Sequence, residues 1–265
     1  MTRVVRGLFF YPIKSCGGTS LDTAVVGTRG ILADREWMVV DSDRRFLTQR
    51  ELPRLALVSP RLSGGYLEIT ASGMAPLSIP LDATGDRADV TVWADRVEAV
   101  DQGSEAAAWF STFLDVPCRL VRIPADTVRH VDQAYASPTD QVGFADGYSF
   151  LLTSLASLED LNRRLPSPLP MNRFRPNVVV DGVEPFEEDG WKRIRIDGIE
   201  FSVVKPCARC VTTTVDQQTA TKSKEPLRTL ATFRNVPGRG VMFGQNLVHH
   251  GTGEIRVGAR VEVIG

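Results

Sequence analysis

Histidine is scarce in this sequence, with three residues in 265: His130, His249 and His250. That argues against histidine-based catalysis. The adjacent His249 and His250 would point to opposite faces of a strand, a poor arrangement for a shared metal, and both are expected at the surface. Cysteine is nearly as rare. Cys16, Cys118, Cys207 and Cys210 are too few for a disulfide scaffold in a chain of this length and fit a reducing compartment. No apolar run approaches the ~20 residues a membrane helix needs, and Lys14 follows the short apolar patch near the N-terminus where a signal peptide would not place it. The expectation is a cytoplasmic, soluble protein with no membrane partner. Charge of one sign is missing too: 31 basic residues face 32 acidic ones, net −1, which leaves no footprint for nucleic acid but permits a local basic pocket. Neither a G-x-G-x-x-G turn after a strand nor a P-loop is present, so dinucleotide and nucleoside triphosphate sites are not indicated. There is no internal repeat and no low-complexity segment.

What the chain does have is frequent punctuation, 22 glycines and 16 prolines, between short runs rich in Val, Ile, Leu, Phe or Trp. Arg3–Phe10, Glu36–Val40, Leu55–Leu62, Tyr66–Ile69, Ala88–Trp93, Asn177–Val180, Arg193–Ile196, Ile199–Lys205, Val211–Val215, Ile255–Val257 and Arg260–Ile264 all read as strands. Helical signals are fewer. Ser104 is placed to cap a helix through Leu114 with Ala106, Ala107, Phe110, Phe113 and Leu114 on one face. A second helix is expected from Ser154, with Leu155, Leu158, Leu161 and Leu165 aligned and a stop before Pro166. A short third follows Pro226 at its first position, with Leu227, Leu230 and Phe233 inward. Many short strands with few helices predict a mainly β or α+β fold. The best boundary lies around Trp93–Gly103, dividing the chain into 1–97 and 98–265.

The segment KPCARCVTTTVD, Lys205–Asp216, carries the strongest chemical signal. Its thiols stand at C-x-x-C spacing, and Arg209 beside Cys210 would favour the thiolate, the form that attacks electrophiles and binds soft metals. The same spacing suits a structural zinc half-site, a thioredoxin-like redox pair, or two ordinary cysteines. Other segments put polar groups where strands meet loops. YPIKSCGG ends the first strand with Lys14, Ser15 and two glycines, a turn able to expose backbone N–H groups to an anion. DREW supplies Arg35, NRFRPN supplies Arg173 and Arg175, and LLTSLASL places Thr153 and Ser154 at a strand-to-helix turn, a natural phosphate site.

In order along the chain, YPIKSC (Tyr11–Cys16), DREW (Asp34–Trp37), TQRELPRLAL (Thr48–Leu57), FRPN (Phe174–Asn177), CARCVTTTVD (Cys207–Asp216), KEPL (Lys224–Leu227) and FGQN (Phe243–Asn246) resemble the MOSC proteins. The likeness is to the molybdenum-containing amidoxime-reducing component and its bacterial relatives in particular. The resemblance implies a β-rich N-terminal domain followed by a MOSC β-barrel domain, with a molybdenum–molybdopterin cofactor between them. By position, Cys210 corresponds to the molybdenum ligand and catalytic centre. Lys14, Ser15, Arg35 and Arg175 correspond to residues holding the pterin phosphate, a task that guanidinium forks suit. Thr153, Ser154, Ala208 and Arg209 correspond to further cofactor contacts, Ala208 through its backbone alone. Asn177 and Asp216 stand behind these contacts or organise their own turns.

The activity implied is reduction of N-hydroxylated compounds such as amidoximes, hydroxylamines and N-hydroxylated bases. With Gly265 directly after the last strand, the chain is expected to carry neither a C-terminal iron–sulfur domain nor the N-terminal membrane anchor of some relatives. Electrons are therefore expected from a separate protein, an iron–sulfur or b-type cytochrome protein with a flavin reductase. The competing expectation is a sulfur-transfer or cofactor-carrier protein with a persulfide on Cys210, although the pyridoxal-phosphate domain of fused relatives is missing. A third is a pterin- or zinc-binding module, for which two further zinc ligands show no matching spacing.

Overall fold

The computed structural model describes residues 2–265 and is built mainly of strands, nineteen against three α-helices among the described residues. The expectation of a mainly β, α+β chain holds. The largest sheet contains Val4–Phe10, Phe150–Ser154, Val178–Asp181, Ile199–Ala208 and Gly240–His250. Its only parallel ladder among the described residues joins Phe150–Ser154 to Val178–Asp181, and the helix Leu155–Arg164 lies in the crossover between them. The buried face of this sheet carries Leu8, Phe150, Leu152, Val178, Val180, Phe201 and Leu247. A second core, around Trp37, Leu55, Leu67 and Phe110, packs the helix Gly103–Leu114 against N-terminal strands.

That helix buries Ala106, Ala107, Phe110, Phe113 and Leu114, the predicted face, although it opens at Gly103 and Ser104 caps nothing. The second helix has the expected cap: the Ser154 hydroxyl accepts the Ser157 N–H at 3.1 Å, and the helix stops at Arg164. In the third, Leu227–Ala231, Pro226 is the residue before the first turn.

Several expected strands differ. Leu55–Leu62 divides into a 3-10 turn, Pro53–Leu57, and a strand, Ser59–Ser63. Val211–Val215 is no strand: Val211–Thr214 forms a 3-10 turn. Its threonines bond back to the chain, Thr213 Oγ1 to the Cys210 carbonyl (2.9 Å) and Thr214 Oγ1 to that of Val211 (2.7 Å). Such local bonds override the β preference of threonine. The strand Gly240–His250, unforeseen from composition, contains Gly244 at φ +80°, where a Cβ would stand 2.7 Å from the Leu152 carbonyl oxygen. At its end the two histidines do face opposite ways, and this corrects their placement: His250 is exposed but His249 is buried, its ring 5.6 Å from Phe150.

Ile199–Ala208 pairs with Gly240–His250, and the register shifts between Val203 and Lys205 and again between Pro206 and Ala208. These irregularities bend the strand out of the regular pleat just before the C-x-x-C segment.

Candidate functional site

Segments at the ends of strands open onto one cleft of about 1080 Å³, lined by Lys14, Ser15, Arg35, Arg175, Asn177, Ala208, Arg209 and Cys210. Segments up to nearly 200 residues apart in sequence thus meet. Ser15 (φ 67°), Arg35 (φ 51°) and Arg175 (φ 54°) all adopt the left-handed conformation that non-glycine residues seldom take. Strain of this kind persists where the surrounding structure enforces it, and it gathers at functional sites.

Tyr11 explains how two guanidinium groups stand close together. Its buried ring lies 4.4 Å from the Arg35 guanidinium and 4.2 Å from that of Arg175, a cation–π contact on each side. The Tyr11 hydroxyl donates to the Pro176 carbonyl (3.1 Å), and burial raises its pKa to about 12, so it remains a neutral phenol. Gly18 makes room for the ring; a Cβ there would be 2.2 Å from Tyr11 Cε1. Arg35 donates to Asp34 Oδ2 (2.5 Å) and Asn177 Oδ1 (3.0 Å). Asn177 also donates to the Phe9 carbonyl and accepts the Leu151 N–H, tying three strand ends to Arg35. Arg175 donates from Nη1 to the Cys16 carbonyl (2.5 Å), while its buried Nη2 has no partner. An unsatisfied buried guanidinium N–H is costly and marks a place where an anion would be stabilised.

Lys14 is buried, and its ammonium donates to Asp146 Oδ1 (2.5 Å) and the Phe144 carbonyl (2.7 Å). Burial lowers its pKa, and the Asp146 carboxylate opposes that shift. Asp146 also accepts the Trp93 indole N–H (3.1 Å), so one carboxylate joins the floor of the cleft to its rim.

Of the four cysteines, Cys16 and Cys118 are buried, and burial pushes the Cys16 thiol up to about 12, which makes it inert. Cys210 is exposed in the cleft and its thiol donates to Thr212 Oγ1 (3.3 Å). The Arg209 guanidinium, expected beside Cys210, turns instead to Cys207, donating from Nη1 to its sulfur at 3.0 Å and from Nη2 to the Phe174 carbonyl at 2.7 Å. Among the described residues no group of three or more His, Cys, Asp or Glu that could hold a metal ion is found, around Cys207 and Cys210 or elsewhere.

The structure does not bring Thr153, Ser154 or Asp216 to this cleft. Thr153 and Ser154 are fully buried. The Thr153 hydroxyl contacts the Met171 sulfur, and the helix N-terminus that looked like a phosphate site is filled from within. There the Glu188 carboxylate accepts the hydroxyls of Ser154 (3.0 Å) and Ser157 (2.7 Å). Asp216 accepts the N–H groups of Gln218 and Thr219 and pairs with the buried Arg173 at 3.0 Å, so it organises its own turn.

Glu188 carries a consequence for stability. Burial raises its pKa above the usual carboxylate value, the serine hydroxyls opposing. A raised folded-state pKa contributes stability that is present below the unfolded value and lost as pH rises through the folded one. Glu188→Gln is therefore expected to raise the melting temperature by about 2–4 °C at pH 7.5, what ~1 kcal/mol is worth at this size. Scanning calorimetry at pH 4 should show that gain gone; an equal gain at both values would refute the assignment.

Trp93, Asp146, Gly147 and Tyr148 line the cleft without having been singled out in the sequence, and Tyr11 is buried behind it against Arg35 and Arg175. Tyr11 belongs to YPIKSC, but only the packed ring reveals its place between two arginines. The Asp146–Gly147 dipeptide just before a strand was a turn signal that could have been weighed.

Residues 2–117 match the family described as MOSC N-terminal beta barrel domain, and residues 139–262 match the MOSC domain. The chain is 36% identical to mitochondrial amidoxime-reducing component 1 of Homo sapiens over 98% of its own length and 83% of the relative's. It is 38% identical to mitochondrial amidoxime reducing component 2 of Bos taurus, over 87% of this chain and 72% of the relative. The molybdenum cofactor sulfurase of Danio rerio is 36% identical over 92% of this chain, which spans only 32% of that longer protein. A strand-rich fold, a cleft built from the ordered motifs and full-length likeness to such relatives lead to one conclusion: the chain belongs to the MOSC-domain family that includes the amidoxime-reducing components.

Proposed function

We propose that the chain is a molybdenum-cofactor-dependent oxidoreductase that reduces N-hydroxylated compounds, working in the cytoplasm with electrons from a separate redox protein. The observation that carries this reading is one cleft combining an exposed thiol, Cys210, with a buried cationic floor whose Arg175 Nη2 has no partner. The donor set fits the cofactor: guanidinium and ammonium groups suit the pterin phosphate, and a thiol suits a thiophilic metal. Lys14, Ser15, Arg35 and Arg175 would hold the phosphate end, Ala208 and Arg209 would contribute from the strand end, and Cys210 would be the metal ligand. When bound, the cofactor supplies two-electron reduction of the N–O bond, which yields the amine or amidine and water.

The chain's own residues set the conditions for that chemistry. Arg35 and Arg175 are fixed before any ligand arrives, by Tyr11, Asp34 and the Cys16 carbonyl, so little conformational freedom is lost on binding. Lys14 is already neutralised by Asp146, which keeps the floor from carrying an uncompensated buried charge. Cys210 caps a 3-10 turn whose hydroxyl–carbonyl bonds hold its backbone rigid, and it stands clear of apolar packing.

The likeness to molybdenum cofactor sulfurase and the exposure of Cys210 support a second reading, sulfur transfer through a persulfide on that residue. One experiment separates the two. Protein made in a host that synthesises the cofactor should contain molybdenum at about one atom per chain and reduce benzamidoxime with a chemical electron donor. Sulfane sulfur on Cys210 without such turnover would replace the first reading by the second.

A further inference from the structure

Among the tryptophans of the described residues Trp37, Trp109 and Trp191 are buried, and Trp93 alone is exposed, at 49%. It lines the same cleft as Cys210. Exposure of one large apolar side chain is ordinary, but its backbone is not. Val92 pairs with Asp95, so Trp93 and Ala94 form a two-residue hairpin turn, and Trp93 has φ +56°. Hairpin turns give left-handed positions to Gly, Asn or Asp, and an indole there is strained.

The indole is also held in place. Its N–H donates to Asp146 (3.1 Å), itself paired with Lys14 at 2.5 Å. The Arg50 guanidinium, 3.6 Å from Glu51, lies 4.5 Å from the Trp93 ring centre, and Phe46 stands against the indole at 5.1 Å and 59°. The Arg50 guanidinium and Phe46 cover part of the indole, yet about half of Trp93 stays exposed, and the residue lines the cleft. Val128, 52% exposed, also lines the cleft. A strained, hydrogen-bonded and half-open indole in the cleft forms a rigid flat surface at little cost in side-chain entropy.

We propose that Trp93 is the platform on which the planar ring of an aromatic substrate stacks, making it the residue that sets preference for aromatic over small aliphatic N-hydroxylated compounds. This rests on the reductase reading of the cleft. Trp93 touches the substrate's ring and takes no part in bond breaking, so its effect falls on substrate binding.

The test compares benzamidoxime with acetamidoxime on loaded enzyme. Trp93→Gly, which suits the left-handed turn and so should fold, is expected to raise KM for benzamidoxime about tenfold. It should leave kcat within about twofold and KM for acetamidoxime within about twofold. Trp93→Phe should restore most of the benzamidoxime KM. Equal changes for both compounds would overturn the proposal while leaving the reductase reading intact. A direct titration gives the independent readout: benzamidoxime should quench the solvent-exposed component of tryptophan emission in the unchanged protein and not in Trp93→Gly. Should neither compound be reduced, the reductase reading fails, and the titration still decides the platform. Quenching that persists without Trp93 refutes it; quenching that disappears supports it.

Discussion

Cys210→Ala protein, made in a host that supplies the cofactor, is expected to retain background molybdenum and to lose benzamidoxime turnover by at least about a thousandfold. Cys16 and Cys118 are buried, Cys207 is occupied by the Arg209 guanidinium, and Cys210 is exposed in the cleft with its thiol on the Thr212 hydroxyl. Disturbing residues that merely orient a metal ligand typically costs 10–100-fold in affinity or activity, so removing the ligand itself must exceed that range. Cys207→Ala is the matched control. It should keep molybdenum and most activity, because its sulfur serves as an acceptor for Arg209. Metal analysis and steady-state kinetics on both variants decide the matter. If Cys210→Ala kept stoichiometric metal, or if Cys207→Ala alone lost it, the assignment of the ligand would be wrong.

Arg175→Met should separate cofactor retention from folding. Arg175 is 9% exposed, and burial lowers its pKa to about 10, with the like-charged Arg35 nearby adding to the shift. Its Nη2 has no hydrogen-bond partner among the described residues, and the Asp34 carboxylate, bonded to Arg35, acts on this cation through space without a direct hydrogen bond. Replacing a buried charge by an apolar side chain of similar length is often neutral for stability. The bond to the Cys16 carbonyl and the contact with Tyr11 would be lost, which offsets part of that gain. The melting temperature of cofactor-free protein should therefore stay within about 4 °C of the parent, a shift of no more than ~2 kcal/mol. Phosphate binding, by contrast, loses a charge-assisted hydrogen bond worth about 1.5–3 kcal/mol, roughly a ten- to hundredfold fall in affinity. Calorimetry of the cofactor-free protein and metal content of the loaded protein measure the two effects separately. A large drop in melting temperature with unchanged molybdenum would show Arg175 to be structural.

The cleft gathers some of the residues chosen from sequence and leaves out others, for identifiable reasons. Lys14, Ser15, Arg35, Arg175, Ala208, Arg209 and Cys210 do line one cleft. They lie in short segments whose order was visible, and strand ends naturally gather at one side of a sheet. Thr153 and Ser154 were chosen because a strand-to-helix turn is a good anion site, yet Glu188, 34 residues beyond Ser154, supplies the anion from within the chain. The β-branched run after Cys210 looked like a strand because propensity counts side-chain shape and ignores hydroxyls that bond to the backbone. His249 was expected outside, but this strand is covered on both faces near its end, where Leu247, Val248 and His249 are buried in succession.

By itself the sequence determined the strand-rich character, the buried faces of the first two helices and the ordered motifs, because periodicity, capping and turn chemistry act over a few residues. The tertiary structure decided which charge meets which partner. Lys14 finds Asp146 across 132 positions, Arg35 finds Asn177 across 142, and Arg175 finds the Cys16 carbonyl across 159. Such pairs depend on sheet register and on a few left-handed residues, Ser15, Arg35, Trp93 and Arg175, whose conformations run against local preference and hold only because packing on every side enforces them.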